Sequence, residues 1–371
     1  MPAEAATYRG VLGRVFDHDI LFSVLVELTY RCNLDCVFCY NDLGLRGEPL
    51  TRAEYLGFFQ DLVDLQVMNL TLSGGEPLAH PDFFALGRAT RELGFVVRVK
   101  SNGHALGPEL ARRLRDEVDP YMLELSLHGA RPETHDRQTR VAGSFERLVR
   151  NLRGMLELGL RLKLNATLTR WNEGEVEAMF ALADDLGLRL QFDPEVTPRD
   201  DGDQGPLALT ASRAGVRDLF RLEFARAEAQ ARKAGLDVPE LAAPRADDIG
   251  PTPQGKHCGA GATGVAVDPY GNVYPCVSWR KPVGNLHERS IKEIWSGSAG
   301  LDEVRALTVA AKQVVHAEGT KGSLMNFCPG LAASTSGDPL RVYAGAKARA
   351  ETLTQVMAER KRVPLRVLSG T

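Results

Sequence analysis

Short apolar runs alternate with longer amphipathic stretches through the first 200 residues of the chain. The runs have the length and the valine- and leucine-rich composition of buried β-strands, and the stretches between them carry apolar residues at helical spacing. The six predicted strands cover residues 24–28, 70–73, 96–100, 122–127, 161–168 and 188–192. This alternation predicts β-α units, in which a helix links each strand to a parallel neighbour.

Sequence signals mark where several of the intervening helices begin. Thr51 and Glu54 have the spacing of a capping box at the start of the first helix, and Pro81 suits the first turn of the second. Further helices are predicted over 107–117, 144–158 and 173–186. Six such units form a partial (β/α)6 barrel similar to a TIM barrel, or an open sheet. In both architectures the chemistry belongs at the carboxyl ends of the strands.

Polar and glycine residues cluster after the first four predicted strands. Three cysteines follow the first strand, and the sequences GGEP (74–77), SNG (101–103) and SLHG (126–129) accompany the next three. Because the carboxyl ends of parallel strands meet at one rim, these residues are expected to line one site.

The pattern changes after the sixth strand, and we divide the chain into five segments. They are an N-terminal lead (1–20), the barrel (21–200), a helical linker (201–255), a small α+β domain (256–335), and a C-terminal helix with a tail (336–371). In the α+β domain, the turn sequence DPYGN joins two short apolar runs and predicts a β-hairpin. Helices are also predicted at 211–234 and 338–362.

Composition and charge exclude several classes of protein. Hydrophobic residues make up 44% of the chain and charged residues 25%, which is typical of a globular protein and not of a disordered one. A formal net charge of −3 gives no reason to expect nucleic acid or a membrane surface as a partner. No apolar run reaches the ~20 residues of a membrane span, and the polar start MPAEAATYRG is unlike a signal peptide. We therefore expect a cytoplasmic protein.

The six cysteines fall into two groups of three. The first cysteine trio, with the spacing CxxxCxxC, is Cys32, Cys36 and Cys39, and the second cysteine trio is Cys258, Cys276 and Cys328. Disulfides are disfavoured in a reducing compartment, where clustered thiols more often bind a metal or perform catalysis. Three thiolates on one loop can bind three irons of a cubane cluster and leave the fourth iron open. Structural zinc is the alternative, but it normally takes four protein ligands.

The sequence RCNLDCVFC resembles the cluster loop of the radical S-adenosylmethionine (SAM) superfamily, including the aromatic residue Phe38 before the third cysteine. The resemblance implies that the first cysteine trio holds a catalytic 4Fe-4S cluster whose open iron binds SAM. In that superfamily, an electron from the cluster cleaves SAM to methionine and a 5′-deoxyadenosyl radical, which removes a hydrogen atom from the substrate. The protein orients SAM and substrate and excludes water.

The same resemblance implies a set of residues that contact SAM. The turn SGGEP is similar to the superfamily's motif for the SAM amino group, and its glycines allow close backbone approach. The hydroxyl and amide side chains at the ends of strands three and four match ribose and carboxylate contacts. An arginine after strand four and an amide on strand five complete the set. The candidates are Phe38, Gly74, Gly75, Glu76, Ser101, Asn102, Ser126, Arg137 or Arg140, and Asn165.

The segment containing the second cysteine trio resembles the auxiliary-cluster modules, called SPASM and twitch, of radical SAM peptide maturases. The hairpin GVAVDPYGNVYPC and the later FCPG carry this resemblance. Full SPASM modules have seven cysteines, whereas this chain offers three, enough for one auxiliary 4Fe-4S cluster with an open iron. The fourth ligand could come from His257, His287, His316, the substrate or water. The alternative is a remnant module with buried free thiols.

Together these features favour a radical SAM enzyme that cross-links or epimerises a ribosomally synthesised peptide. The resemblance implies a peptide substrate, an electron donor such as flavodoxin or ferredoxin, and a separate leader-peptide recognition protein, because the lead before strand one is short for a recognition domain. Two alternatives remain open. One is a twitch-type radical SAM enzyme, a dehydrogenase or cyclase, that acts on a small molecule. The other is a non-catalytic zinc or electron-carrier protein.

Overall fold

Six parallel strands form the first part of the sheet in the computed structural model, which describes residues 7–235 and 255–361. Each lies within two residues of its predicted position, so the predicted alternation is confirmed. The strands are β1 (Ser23–Glu27), β2 (Asn69–Ser73), β3 (Val96–Ser101), β4 (Met122–Ser126), β5 (Leu162–Thr167) and β6 (Leu190–Asp193). They are hydrogen-bonded in sequence order, as successive β-α units require.

Helices precede and connect these strands. They are α1 (Tyr8–Asp17), α2 (Arg52–Asp64), α3 (Phe83–Glu92), α4 (Pro108–Arg113), α5 (Pro132–Thr139), α6 (Ser144–Glu157) and α7 (Val176–Asp185). The capping box predicted at the start of α2 is present, because the Thr51 hydroxyl accepts from the Glu54 backbone N–H while the Glu54 carboxylate accepts from the Thr51 N–H. The sequence pattern did not predict α1 or α5.

Two of the helix boundaries predicted within the barrel differ from the structure, and the helix predicted from 338 begins at Ala344. Pro81 lies ahead of α3, whose N-cap is Asp82, and a short 3-10 turn at Pro77–Ala79 lies between β2 and α3. The helix predicted over 107–117 divides into α4 and a π-helical turn at Leu114–Val118. The widened turn ends at Asp119, which adopts a left-handed backbone conformation with φ of 44°.

The sheet has one apolar face and one polar face. Alternate residues, for example Leu70, Leu72 and Val99, are fully buried under the helices. The intervening positions, such as Lys100 and Ser126, face a cavity on the concave side. This period-two pattern is typical of a sheet covered by helices on one face, and it leaves the other face for function.

The predicted hairpin joins the barrel sheet and does not form a separate one. Strand β7 (Gly264–Val267) pairs in parallel with β1, and β8 (Asn272–Tyr274) and β9 (Gly284–Asn285) follow as antiparallel neighbours. The nine strands have the order β6-β5-β4-β3-β2-β1-β7-β8-β9. At the turn, the Asp268 carboxylate accepts from the backbone N–H groups of Tyr270 and Asn272, both at 2.9 Å.

The remaining helices follow the sixth strand and the hairpin. They are α8 (Arg213–Lys233), α9 (Ile291–Gly297), α10 (Ala299–Ala317), α11 (Thr320–Leu324), α12 (Pro329–Ser336) and α13 (Ala344–Lys361). Helix α13 packs along α8, and Arg221 of α8 pairs with Glu359 of α13 at 2.6 Å. Helix α8 corresponds to the helix predicted at 211–234. The rest of the predicted linker, residues 236–254, and the tail after 361 lie outside the described residues. None of the described helices is long and apolar enough to span a membrane.

A buried ion-pair network connects the barrel to the hairpin segment. Arg280 donates two hydrogen bonds to the carboxylate of Glu27, at 2.8 and 2.9 Å, and its Nε lies 2.8 Å from Asp200. The hydroxyls of Tyr30 and Tyr40 also donate to Glu27, which is fully buried at the end of β1. Burial raises the pKa of Asp200 to about 7. The Arg280 guanidinium therefore forms ion pairs with two carboxylates from different parts of the barrel.

We expect Arg280→Met to destabilise the protein strongly, because Glu27 and Asp200 would remain buried without a cation. Breaking a buried pair in this way typically costs about 3–5 kcal/mol. The measurement is the free energy of unfolding in urea, on reduced protein kept under anaerobic conditions. Lys281→Met is the matched control, since Lys281 forms an exposed pair with Glu303 that is worth about 1 kcal/mol or less. Equal losses in the two variants would contradict the prediction.

Candidate SAM and iron-sulfur site

The first cysteine trio lies on the loop after β1, and the end of α5 fixes this loop. The backbone N–H groups of Asp35 and Val37 donate to the carbonyls of Thr139 and Gln138, both at 3.0 Å. Gln138 and Thr139 are themselves fully buried. The loop backbone is therefore held between the end of β1 and the helix that follows β4.

The three thiols of the first trio are close enough to influence one another. Burial raises the pKa of Cys36 above its ordinary value, and the neighbouring Cys39 and Cys32 raise it further. The Cys32 sulfur accepts from the backbone N–H of Leu34 at 3.4 Å and from the Asn102 amide at 3.7 Å. Three crowded thiolates repel one another, and a bound cationic cluster would relieve that repulsion.

The glycine turn after β2 packs directly on the cysteine loop. Gly74 has φ of +125°, and a Cβ added there would lie 2.4 Å from the carbonyl oxygen of Thr29. A Cβ at Gly75 would lie 2.6 Å from the carbonyl oxygen of Arg31. The backbone N–H of Gly75 donates to the Thr29 carbonyl at 2.7 Å. Only glycine allows this approach, so the turn forms a backbone cradle beside the first trio.

Glu76 joins the ends of β2 and β3. Its carboxylate accepts from the Ser101 hydroxyl at 2.9 Å and from the Asn102 backbone N–H at 2.9 Å. Burial raises the pKa of this carboxyl to about 7, although these hydrogen bonds favour the ionised form. Glu76 and Ser101, both expected to contact SAM, are thus bound to each other in this structure. Both are almost completely buried.

The other expected SAM contacts are divided between the cavity and its surroundings. Phe38, Asn102 and Ser126 line the cavity, and the Phe38 ring stands edge-on to that of His128 at 4.7 Å between centroids. The Asn102 amide donates to Asn33 of the cysteine loop at 2.7 Å. These contacts bring the ends of β3 and β4 to the first trio.

Besides Glu76, three of the expected contacts do not line the cavity. Arg137 stacks over the Trp171 ring at 3.9 Å from its centroid, and Asn165 donates to Glu124 at 2.8 Å. Arg140 pairs with Asp35 at 3.1 Å, which places its guanidinium against the cysteine loop. Of the two arginines, Arg140 therefore lies beside the first trio.

The second cysteine trio is brought together from three distant parts of the chain. Burial raises the pKa of Cys328 to about 11, and the neighbouring Cys276 and Cys258 contribute to that shift. Cys328 is the N-cap of α12, and its sulfur accepts from the Leu331 N–H at 3.4 Å. A Cβ at Gly330 would lie 2.5 Å from the Ser278 carbonyl oxygen, so α12 closes tightly on the hairpin.

Two of the three histidines considered as a fourth ligand are engaged elsewhere. His257 Nε2 lies 2.7 Å from the carbonyl oxygen of Phe327. His287 contacts the Glu54 carboxylate at 2.7 Å and the Glu48 carbonyl at 2.9 Å, using both of its ring nitrogens. His316 lies in the last turn of α10.

The chemistry of the thiol donors fits a cubane cluster better than a single structural zinc ion. Within residues 7–235 and 255–361, no three Cys, His, Asp or Glu side chains converge closely enough to hold one ion. Structural zinc needs four ligands, with thiolates about 2.3 Å from one ion, whereas the thiolates of a cubane bind separate irons. The donor chemistry and the glycine cradle therefore fit an iron-sulfur cluster and SAM.

A cavity of about 800 Å³ connects the two halves of the molecule. The first trio, the glycine turn and the inner faces of the strands form one wall. Val277, Ser278, Gly330 and Leu331, which adjoin Cys276 and Cys328 in sequence, form another. The cavity can therefore hold SAM and part of a substrate between the two cysteine trios.

Two family models match this chain. Residues 26–183 match the radical SAM superfamily, and residues 258–328 match SPASM, described as an iron-sulfur cluster-binding domain. The second match begins and ends at members of the second cysteine trio. The chain belongs to the radical SAM superfamily and carries a SPASM domain. It is therefore an enzyme that binds a 4Fe-4S cluster and SAM, with an iron-sulfur-binding auxiliary domain.

Curated relatives span most of the chain. The mycofactocin maturase MftC of Mycobacterium ulcerans is 32% identical over 305 residues, covering 78% of this chain and 79% of its own. The PqqA peptide cyclase of Ruegeria pomeroyi is 31% identical over 296 residues, covering 76% of each. An AdoMet-dependent heme synthase of Methanosarcina barkeri is 28% identical over 297 residues, covering 75% and 83%.

Solved structures confirm the fold. The enzyme anSMEcpe with bound AdoMet has a TM-score of 0.67 at 16% identity, covering 91% of this chain and 97% of its own. SuiB of Streptococcus suis has a TM-score of 0.61 at 17% identity, covering 80% and 70%. The partial barrel followed by a small auxiliary domain is thus the established architecture of this chain.

Sequence reasoning missed the network around Arg280. Glu27, Asp200 and Arg280 are separated by long stretches of chain, and each resembles an ordinary surface residue in isolation. A local signal existed for Glu27, which stands at the end of an apolar strand where a buried charge needs a partner. Nothing in the sequence alone identified that partner.

We expect Gly75→Ala to weaken SAM binding about tenfold or more and to reduce cluster incorporation. The new Cβ would meet backbone atoms of the cysteine loop, and overpacking of this kind costs about 1–3 kcal/mol. The measurements are the SAM dissociation constant and the iron content after anaerobic reconstitution. Gly57→Ala in α2 is the control, because its Cβ meets nothing within 4 Å and should leave SAM binding unchanged. Unaltered SAM affinity in Gly75→Ala would contradict the role of the cradle.

Proposed function

We propose that the protein modifies a ribosomally synthesised peptide by hydrogen abstraction, producing a cross-link or an epimerised residue. The observation that carries this proposal is the cavity that extends from the first cysteine trio to the edge of the second. Relatives that span about three quarters of the chain are named as a peptide cyclase and a maturase. One solved relative of the same fold is SuiB bound to its precursor peptide SuiA.

Each cysteine trio has a separate role in this proposal. Bound SAM and its cluster supply a one-electron cleavage that yields a 5′-deoxyadenosyl radical. Cys32, Cys36 and Cys39 hold that cluster, while the glycine turn brings backbone atoms close to the SAM amino group. The second trio would hold one auxiliary 4Fe-4S cluster, and its three thiolates would leave one iron without a cysteine ligand.

The other SAM contacts follow from the placement of side chains. Phe38, Asn102 and Ser126 line the cavity and supply a ring face, an amide and a hydroxyl for the adenosine. Arg140, held against the cysteine loop by Asp35, is the arginine we assign to the SAM carboxylate. Glu76 positions Ser101 and Asn102 and presents its carboxylate behind the cradle.

A small-molecule substrate is the second candidate. The observation that favours it is the heme synthase relative, which this chain covers over 83% of its length. A cavity of this size is within the range of sites that bind compact ligands. The two candidates are distinguished by whether the enzyme changes the mass of an added peptide.

The test is anaerobic incubation of reconstituted enzyme with SAM, a reductant and the small peptide encoded beside this gene. We expect 5′-deoxyadenosine to form together with a change in the peptide detected by mass spectrometry. A cross-link lowers the mass by two hydrogens, and epimerisation in deuterated water replaces one hydrogen by one deuterium. The triple variant Cys32→Ala, Cys36→Ala, Cys39→Ala should lose SAM cleavage altogether.

Cys258→Ala is the control that separates the two trios. It should retain SAM cleavage without peptide and lose most peptide modification, because the auxiliary cluster would lack a ligand. Retained SAM cleavage in the triple variant would reject radical SAM chemistry at this site. SAM cleavage by the intact enzyme with no change in any candidate peptide would favour the small-molecule alternative.

An acidic electron donor such as flavodoxin or ferredoxin is the redox partner we propose. Arg147, Arg150 and Arg153 form an exposed stripe on α6, and none pairs with an acidic residue within 4 Å in the described part of the chain. Asn151 of the same helix donates to the Gly103 carbonyl at 2.9 Å, and the adjacent Asn102 contacts the exposed Cys32. The basic stripe therefore adjoins the exposed edge of the cysteine loop.

Charge reversal on this stripe should slow reduction by a protein donor. We expect Arg150→Glu with Arg153→Glu to lower the flavodoxin-driven rate of SAM cleavage at least about fivefold at low salt, because steering between charged surfaces is lost. The dithionite-driven rate should not change. Arg189→Glu is the control, since Arg189 precedes β6 at the opposite end of the sheet. Equal loss with dithionite would show damage to the site and contradict a docking role.

Two further parts of the proposal concern the protein's surroundings. All six cysteines are free thiols, which supports a reducing, cytoplasmic location. A separate leader-peptide recognition protein is the further partner we propose.

A further inference from the structure

Most charged side chains that line the cavity already pair within the chain. The positive charges of Arg199, Arg280 and Lys281 and the negative charges of Asp35 and Glu195 each have a partner of opposite sign. The pairs are Arg199–Asp203, Arg280 with Glu27 and Asp200, Lys281–Glu303, Asp35–Arg140 and Glu195–Arg349. These five cavity-lining charges are therefore already balanced within the chain.

Lys100 is the exception among the cations. It lies on the inner face of β3 and lines the cavity, and no carboxylate of the described residues comes within 4 Å of its ammonium. The nearest strand partner, Glu124 of β4, is already bonded to Arg98 at 3.4 Å and to Asn165 at 2.8 Å. Lys100 therefore presents an unpaired positive charge to whatever occupies the cavity.

Asp193 is the corresponding exception among the anions. It ends β6, three strands away from β3, and also lines the cavity. One oxygen accepts from the Glu195 backbone N–H at 3.0 Å, and no cation lies within ion-pair distance in the described residues. Burial raises its pKa, while the positive charges of Arg349 and Lys100 act in the opposite direction. The two unpaired charges thus face each other across the concave sheet.

We propose that Lys100 binds a carboxylate of the substrate and that Asp193 orients it by repelling the same carboxylate from the opposite wall. The ligand is an acidic side chain, glutamate or aspartate, within the modified segment of the peptide. This inference rests on the proposed function and specifies which peptides the cavity accepts. Neither residue belongs to a cysteine trio or to the glycine cradle.

The direction of the side chain separates Lys100 from Ser101, one of the residues assigned to SAM. Ser101, the next residue of β3, points to the other face of the strand and bonds Glu76 behind the cradle. Lys100 instead points inward, and it comes one residue before the end of β3. Its charge is therefore placed toward the interior of the cavity.

The selectivity follows from the cost of leaving Lys100 unpaired. A bound peptide displaces water from the cavity, and an ammonium without a partner is then unfavourable. A carboxylate satisfies it through a charge-assisted hydrogen bond, whereas the isosteric amide of glutamine does so only weakly. Sites of this kind reject the wrong ligand mainly through the group they leave unsatisfied.

The experiment measures binding without turnover. The probes are two capped tripeptides, acetyl-Ala-Glu-Ala-amide and acetyl-Ala-Gln-Ala-amide, titrated calorimetrically into reconstituted, SAM-bound enzyme. We expect the glutamate peptide to bind about tenfold more tightly than the glutamine peptide, as one charge-assisted hydrogen bond allows. Lys100→Met should abolish this preference, Lys100→Arg should keep most of it, and Asp193→Asn should strengthen binding of the glutamate peptide severalfold.

Lys163→Met is the matched control. Lys163 of β5 lies on the same inner face, opposite Glu124 of β4, but does not line the cavity. It should leave the glutamate preference unchanged. SAM affinity is measured on each variant in the absence of peptide and should be unaltered in Lys100→Met.

Three results would overturn the assignment. They are equal binding of both peptides by the unmodified enzyme, a glutamate preference that survives in Lys100→Met, and a loss of SAM affinity in Lys100→Met without a change in that preference. The last would mean that Lys100 binds the carboxylate of SAM. Failure of the proposed function is distinguished by the separate mass assay, because peptide binding here does not depend on modification.

Discussion

The buried contact between Arg280 and Glu27 is the constraint on which the site depends. Glu27 ends the strand that leads into the first cysteine trio, and Arg280 follows Cys276 of the second. Tyr30 and Tyr40, which flank the first trio in sequence, share the same carboxylate. A buried carboxylate must be paired, so the two cysteine-bearing segments are held together by the requirement to neutralise one charge.

This arrangement also explains why so few charges in the cavity are free. Ion pairs that fix the walls use up the side chains that contribute to them, as Asp200 and Glu195 illustrate. What remains for a ligand is a polar strip on the inner face of the sheet, backbone atoms at the glycine cradle, and the thiols. The fold thus separates residues that maintain the cavity from those that can recognise its contents.

Local pattern was sufficient to predict the strands, the capping box at Thr51 and the division of the cysteines into two trios. These depend on period, spacing and short-range hydrogen bonds, all of which are visible within a few residues. The pairing of β7 with β1 and the contact between Arg280 and Glu27 could not be predicted, because they join residues more than 200 positions apart. Ser101 shows a subtler limit. Its position at a strand end was predicted. The hydrogen bond from its hydroxyl to Glu76 was not, because that bond depends on how two neighbouring strands lie in the sheet.

The parallel pairing of β7 with β1 has a consequence for how this architecture changes over time. Ser23 lies opposite Gly264, and that register, not the length of chain between the two strands, sets the separation of the cysteine-bearing loops. The hydrogen-bonded pairing of the two strands therefore keeps this separation constant. Insertions or deletions in the connecting segment can therefore accumulate without altering the separation of the two cysteine-bearing loops.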